Sequence, residues 1–312
     1  MIQYVLGNVV MPIIDISDWE KEDYFVGTRR KLLYTNPRTR EKAFFKYPYL
    51  DPRTGEELPG EIWSEKIAAD IGDIIGVPTP KVDLANNEEG FGSLSYNFLK
   101  QGEELIHGAD FLSKFFEFRI SLNVVGEDFD PRNPRHHKLL YVLKIIESIK
   151  SSLVYDFINI LIFDALIGNT DRHSENWGII KTNLKDAPRA RVAPAFDNGS
   201  SLGREFKTDE ERISLLNDEK RLEKYIFGNK ATACISFKDK KRVNHFELIT
   251  ILISIGGDTV RKLLKQVARL RDDKIDRVLS SVPNEIMTEV SKEMVKKILM
   301  IRRNELFNLR RW

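Results

Sequence analysis

The residues of this sequence with the clearest chemistry are Asp171, Asn176 and Asp197. They lie in Gly168-Asn-Thr-Asp171-Arg-His173-Ser-Glu-Asn176 and Ala193-Pro-Ala-Phe-Asp197-Asn-Gly199. Magnesium-dependent phosphoryl transfer needs one carboxylate to orient or deprotonate an attacking hydroxyl. It also needs an amide oxygen and a second carboxylate to hold hard cations against the phosphates. Asp171 fits the first role, and Asn176 and Asp197 fit the second. Singly, each has an ordinary alternative, because Asn-Thr-Asp and Asp-Asn-Gly are good turn chemistry. Their joint order points to a kinase that uses ATP and Mg²⁺.

The elements that must position these residues follow from the apolar pattern. Ser151 to Ile167 is apolar nearly all round, as a helix through the middle of a large lobe would be, and Gly168 ends it. A strand from Trp177 to Ile180, a turn over 183–188 and a second strand ending at Asp197 set Asn176 and Asp197 at adjacent strand ends. Asn198 to Gly203 reads as a flexible segment.

Upstream, a hairpin over 24–34 has the tip Gly27-Thr28-Arg29-Arg30, and the strand Ala43 to Tyr47 contains Lys46. Neither a Walker A nor a glycine-rich loop is present. The tip either holds phosphate through its amides with Thr28, Arg29 and Arg30, or is a plain solvated turn. A helix from about Ile62, stopped by Gly76 and Pro78, places Glu65 in its early turns. There Glu65 either answers the helix dipole or pairs with Lys46 to fix the ammonium near the phosphates. Lys42 and Glu61 compete for that pairing. Strands at Val82 to Leu84 and Gly92 to Leu99 flank an Asn86-Asn87 turn and lead to a hinge near 94–102. Tyr96 and Phe98 would lie against adenine there.

From Gly102 on, the pattern turns helical, over 109–118, 139–149, 209–216, 246–255, 258–268, 272–280 and 284 to the end. His136-His137 has no Cys or third His nearby and reads as part of an insertion loop rather than a metal site. The expected fold is therefore α+β, two-lobed and protein-kinase-like. A small, mostly β N-lobe would span 1–100, and a larger α-helical C-lobe 101–312, with a catalytic loop at 168–176 and a metal-binding segment at 194–203.

Composition narrows the class. With 312 residues, 42% hydrophobic and 31% charged, the chain can bury a full core. A net charge of +2, from 49 basic and 47 acidic residues, gives no global nucleic-acid footprint. Basic residues do bunch at Arg29-Arg30-Lys31, Lys238 to Arg242, Arg302-Arg303 and Arg310-Arg311. The longest apolar runs are too short to cross a membrane, and no secretion signal is present. The single cysteine, Cys234, excludes an internal disulfide, and a cytoplasmic location is expected.

Gly168 to Asn176 resembles the catalytic loop of the HipA-like serine/threonine kinases, and its Asp-Arg-His-x-x-Asn core also occurs in phosphatidylinositol 3- and 4-kinases. Pro194 to Gly203 resembles the HipA-type metal-binding segment, and Trp63 to Pro80 is similar to the family's N-lobe helix and its exit. The resemblance spans residues 40–203. It implies a two-lobed kinase of toxin type that phosphorylates a Ser or Thr of a protein, such as a translation-related enzyme, and is held by an antitoxin protein. Asp171 would be the catalytic residue, and Asn176 and Asp197 the Mg²⁺ ligands. Lys46 would be the phosphate lysine with Glu65 its partner, and His173 would polarise the γ-phosphate or buttress the loop. Full-length HipA toxins have a further N-terminal subdomain of about a hundred residues, so the chain resembles a short form. Thr28 is the only hydroxyl besides tyrosines in the 24–34 hairpin, so the autophosphorylated serine of the larger toxins has no counterpart there. The alternatives are a small-molecule or lipid kinase on the same scaffold, and a nucleotide-binding pseudokinase acting as a binding module.

Overall fold

Alternation along β4 (Lys42–Lys46) sets up the first layer: Ala43 and Phe45 are buried on one face, so Lys46 leaves the strand on the other. The computed structural model describes residues 11–24, 31–50, 55–122, 130, 132–133, 135–182 and 189–311. In it β4 sits within a sheet whose other members are β1 (Ile14–Asp15), β2 (Glu20–Tyr24), β3 (Lys31–Thr35), β7 (Val82–Asn87) and β8 (Gly90–Tyr96). The order is β1-β7-β8-β4-β3-β2, antiparallel except for β1 on β7. Between β4 and β7 come β5 (Tyr49–Leu50), its partner β6 (Glu57–Leu58), and α1 (Gly60–Ile75). Gly76 closes α1 at φ 81°, a left-handed position that glycine adopts without strain.

The second lobe is built on α4 (Leu153–Ile167). From Phe157 to Ile167 every side chain but Asn159 is buried, and most contribute to one large apolar core. Around it lie α2 (Gly108–Ser121), α3 (Leu139–Ile149), α5 (Asp209–Leu216), α6 (Glu219–Phe227), α7 (His245–Leu264), α8 (Asp272–Ser281) and α9 (Glu289–Leu309). A three-stranded sheet, β11-β10-β9, lies against α2 and α4; it comprises β9 (Glu103–His107), β10 (Gly178–Thr182) and β11 (Arg189–Val192). Among the described residues no helix is long and apolar enough to cross a membrane.

Several expectations need correction. Residues 103–107 form strand rather than the start of helical sequence, because β10 supplies their pairing partner from Gly178↔His107 to Thr182↔Glu103. The turn between β7 and β8 is at Glu88-Glu89, since Asn87 Oδ1 accepts from the amides of Glu89 and Gly90. α6 was not expected. α7 runs through 256–257 with a kink where Gly257 has φ 52°. α9 starts at Glu289, capped by Thr288. Asn198 to Gly203 is not a loose segment: Asn198, Ser200, Ser201 and Leu202 are all buried.

Candidate active site

α4 ends where Gly168 adopts φ 71°, and a Cβ there would lie 3.1 Å from the Arg302 guanidinium. The chain then enters the loop through Asn169, which is fully buried. Its side chain donates to Asp164 Oδ1 at 3.1 Å and accepts the Asp171 amide at 2.9 Å. The Asp171 carbonyl accepts from the His173 amide at 2.8 Å and from Asn176 Nδ2 at 2.9 Å. The Asp171 carboxylate has no hydrogen-bond partner among the described residues.

Arg172 is the hidden hub of this loop. It is 1% exposed, and its Nε and Nη2 grip Asp164 at 2.9 and 2.7 Å. Nη1 donates to the carbonyls of Asn176, at 2.8 Å, and Phe196, and Nη2 also reaches Asn198 Oδ1 at 2.6 Å. Burial pulls the guanidinium pKa down; Asp164, with Asp197 and Glu65 further off, more than reverses that and raises it. One planar cation thus ties α4, the Asp171–Asn176 loop and the Phe196–Asn198 turn together. Sequence reasoning assigned Arg172 no role. The signal available was Asp164, a carboxylate within a buried apolar helix, which requires a partner.

Asp197 adopts φ 59°, in the left-handed region, at the end of the turn that Arg172 holds. Its Oδ1 lies 2.9 Å from Lys46 Nζ, and Glu65 Oε1 lies 2.8 Å from the same nitrogen. Glu65 Oε2 also accepts the Asn198 amide at 3.0 Å, so this helix carboxylate reads both lobes. Burial opposes the charge on Lys46, but Asp197 and Glu65 outweigh it and raise the pKa, keeping the ammonium charged. The two competitors have other partners: Lys42 lies 3.8 Å from Glu22, and Glu61 pairs with Arg204.

The remaining candidates are placed unevenly. Phe98 stacks on Phe196, ring centroids 5.7 Å apart, beside Asp197. Tyr96 pairs with Ala43, so it leaves β8 on the face of Phe45 and Leu94 rather than that of Lys46; Lys81 covers its ring at 4.0 Å. The structure does not bring Tyr96 to the others. His173 accepts the Glu175 amide at 3.2 Å and touches Asn176 Nδ2 at 3.3 Å. Burial lowers its pKa, against the pull of Asp171 and Glu175. Gly27, Thr28 and Arg29 lie outside the described residues.

His137 lies in the loop before α3, as expected, but it is not solvated. It is 1% exposed, donates from Nδ1 to the Cys234 carbonyl at 2.6 Å, and accepts the Trp177 indole at Nε2 at 2.9 Å. Burial pushes its pKa down to about 4. It moors the residue that follows Asn176. His245 does the same at the loop's start: Nε2 meets the Asn169 carbonyl at 2.8 Å, and burial beside Arg302 depresses its pKa to about 3.

The site has the donors that a nucleotide-bound magnesium ion requires. Because Asn176 Nδ2 donates to Asp171 O, its Oδ1 is the atom left for a cation, and Asp197 adds a carboxylate. Among the described residues no cluster of three His, Cys, Asp or Glu side chains forms a metal cage. Mg²⁺ takes one or two protein oxygens and completes its shell with phosphate and water, and Asn176 Oδ1 with the Asp197 carboxylate would supply two.

A sheet lobe and a helical lobe meeting at a Lys–Glu–Asp ion cluster, with a loop delivered by a buried helix, make a protein-kinase-like fold. Within that class the chain belongs to the HipA-like family: the model of the HipA-like C-terminal domain matches residues 25–274. The serine/threonine-protein kinase CtkA of Helicobacter pylori strain J99 is 24% identical over 288 residues, covering 91% of this chain and 81% of that one. The crystal structure of the proinflammatory kinase CtkA of Helicobacter pylori superposes with a TM-score of 0.77 at 19% identity, over 96% of this chain and 97% of that one. The Shewanella oneidensis HipA, in a complex with HipB and operator DNA, superposes with a TM-score of 0.50 at 13% identity, over 99% of this chain and 67% of that one.

Two outcomes follow. Arg172→Met leaves Asp164 buried and unpaired and should cost about 3–5 kcal/mol in urea unfolding. Adding Asp164→Leu should restore much of the stability but not the activity, since the carbonyls of Asn176 and Phe196 remain unheld. Stability from His137 is fully present above its unfolded pKa near 6.5 and falls as the pH drops toward the folded value of about 4. Unfolding free energy should therefore fall by on the order of 2–3 kcal/mol from this residue between pH 7 and pH 4.5. His137→Gln should show a shallower acid slope in the same titration.

Proposed function

We propose that this chain is an ATP- and Mg²⁺-dependent serine/threonine-protein kinase of HipA-like type. The observation that supports it most is the Lys46 ammonium, held between Glu65 and Asp197 at 2.8 and 2.9 Å across the two lobes. A half-buried cation so held is poised to turn from Asp197 to a phosphate oxygen, with Glu65 fixing its position. Asp171 aligns the acceptor hydroxyl and accepts its proton. Asn176 Oδ1 and the Asp197 carboxylate would hold Mg²⁺, which would neutralise charge on the phosphates. Phe98, stacked on Phe196, walls the nucleotide side. His173 buttresses the loop through Glu175 and Asn176. Catalysis is then mainly positioning and electrostatics. We further propose the lobe boundary near residue 100, a cytoplasmic location, and an antitoxin-type protein partner; the HipA–HipB complex supports the last by analogy only.

Purified protein incubated with Mg²⁺ and ATP should transfer phosphate to Ser or Thr of proteins in a cell lysate, read by mass spectrometry. Asp171→Ala and Asp197→Ala should each lower the rate by at least about a hundredfold while leaving the fold intact. Transfer that persists in both variants contradicts the assignment. Nucleotide binding without transfer to any protein would point to a small-molecule acceptor or a pseudokinase.

A further inference from the structure

The basic run at Lys238 to Arg242 is not a loose solvated stretch; it is a hairpin built against the candidate catalytic loop. Phe237 and Lys240 exchange backbone hydrogen bonds at 3.1 Å, and Lys238 turns the tip at φ 50°. Below the tip, Ala233 donates to the Val243 carbonyl at 2.9 Å and Val243 to that of Ile235 at 3.0 Å. The hairpin is fixed to the segment that moors Trp177, since the Ser236 amide donates to His137 O at 3.1 Å and Leu139 donates back to Ser236 O at 3.0 Å. Arg242, at its base, donates Nη2 to the carbonyl of Thr170, the residue before Asp171. A rigid positive element thus begins one residue from the group that meets the acceptor.

Its charge is largely unanswered. Lys240 is neutralised by Glu247, at 2.6 and 2.7 Å to the two oxygens, and Asp239 lies in the turn itself. Lys238 and Lys241 are exposed and have no carboxylate partner among the described residues. The neighbouring edge adds Arg135 and Lys138, also exposed and without a carboxylate. Lys138 is bridged to Ser236, and so sits against the hairpin. Like charges presented together on a hydrogen-bonded hairpin select partners by charge complementarity.

We propose that the 237–242 hairpin recognises the acceptor polypeptide, and that it selects serines and threonines flanked by acidic residues. This rests on the protein-acceptor reading above and specifies its substrate class. Lys238 and Lys241 supply the long-range attraction. Arg242 couples the hairpin to the loop, so a bound acidic segment is held in register with Asp171.

The test uses the full chain with Mg²⁺ and ATP and three sets of synthetic peptides, each with one Ser or Thr flanked by acidic, neutral or basic residues. Wild type should phosphorylate the acidic set with roughly tenfold higher kcat/KM than the neutral set, and the advantage should shrink with added salt. Lys238→Glu with Lys241→Glu should reverse the order toward basic peptides and keep the thermal midpoint. Transfer without dependence on flanking charge overturns the proposal while leaving the kinase reading intact. A uniform loss on all three sets gives the hairpin a structural role and also overturns it. RNA oligonucleotide binding lost in the variant, with peptide preference unmoved, assigns the hairpin to nucleic acid instead. Failure to phosphorylate any peptide or protein contradicts the protein-acceptor reading itself, and this proposal with it.

Discussion

The structure depends on one buried guanidinium. Arg172 commits all its N–H donors to five acceptors: the two Asp164 oxygens, the Asn198 amide oxygen, and the carbonyls of Asn176 and Phe196. A buried cation without such partners would cost several kcal/mol, and with them it specifies one geometry. That geometry fixes Asn176 and the Phe196–Asn198 turn relative to α4, and therefore fixes the spacing of the two candidate metal donors. A lysine could not do this, because a point charge lacks the planar fork that reaches five acceptors at once.

The same turn communicates with the sheet lobe. Asn198 gives its side-chain oxygen to Arg172 and its amide to Glu65, and Glu65 in turn holds Lys46. Ser64 donates to the Ser201 carbonyl at 3.0 Å, and Arg204 pairs with Glu61. α1 is thereby attached to the segment after Asp197 over about one turn of helix, from Glu61 to Glu65. Gly199 passes Glu65 closely enough that a Cβ would be 3.5 Å from its side chain, in ordinary contact. The lysine, glutamate and aspartate are assembled as they stand, and under the proposed function nucleotide would ask only that Lys46 exchange one oxygen for another.

Much of this was legible from residue types and order. Asp171, Asn176 and Asp197 announce themselves because their neighbours are apolar strands and a helix with clear periodicity, and Lys46 and Glu65 follow in a sheet and a helix of ordinary pattern. What was not legible came from pairing over long sequence distance. Arg172 looked like one more polar loop residue because its partners, Asp164 and the Phe196 carbonyl, flank it in space and not in pattern. His137 does lie in a loop, but its burial was not legible because it depends on Trp177, which arrives forty positions later. Tyr96 was misplaced by parity: one step along β8 exchanges the cleft face for the Phe45 face. β9 was missed because Glu103-Glu-Leu-Ile-His becomes a strand only when β10 lies beside it.

The central claim is that Arg172 holds Asn176 and Asp197 where a divalent ion bridges them to a nucleotide. The most direct test is a crystal grown with Mn²⁺ and a non-hydrolysable ATP analogue, with the metal located by anomalous scattering. The account predicts manganese coordinated by Asn176 Oδ1 and the Asp197 carboxylate, with Lys46 moved from Asp197 to a phosphate oxygen and still bonded to Glu65. Manganese bound elsewhere, or nucleotide phosphates that leave the Lys46–Asp197 pair intact, would contradict it.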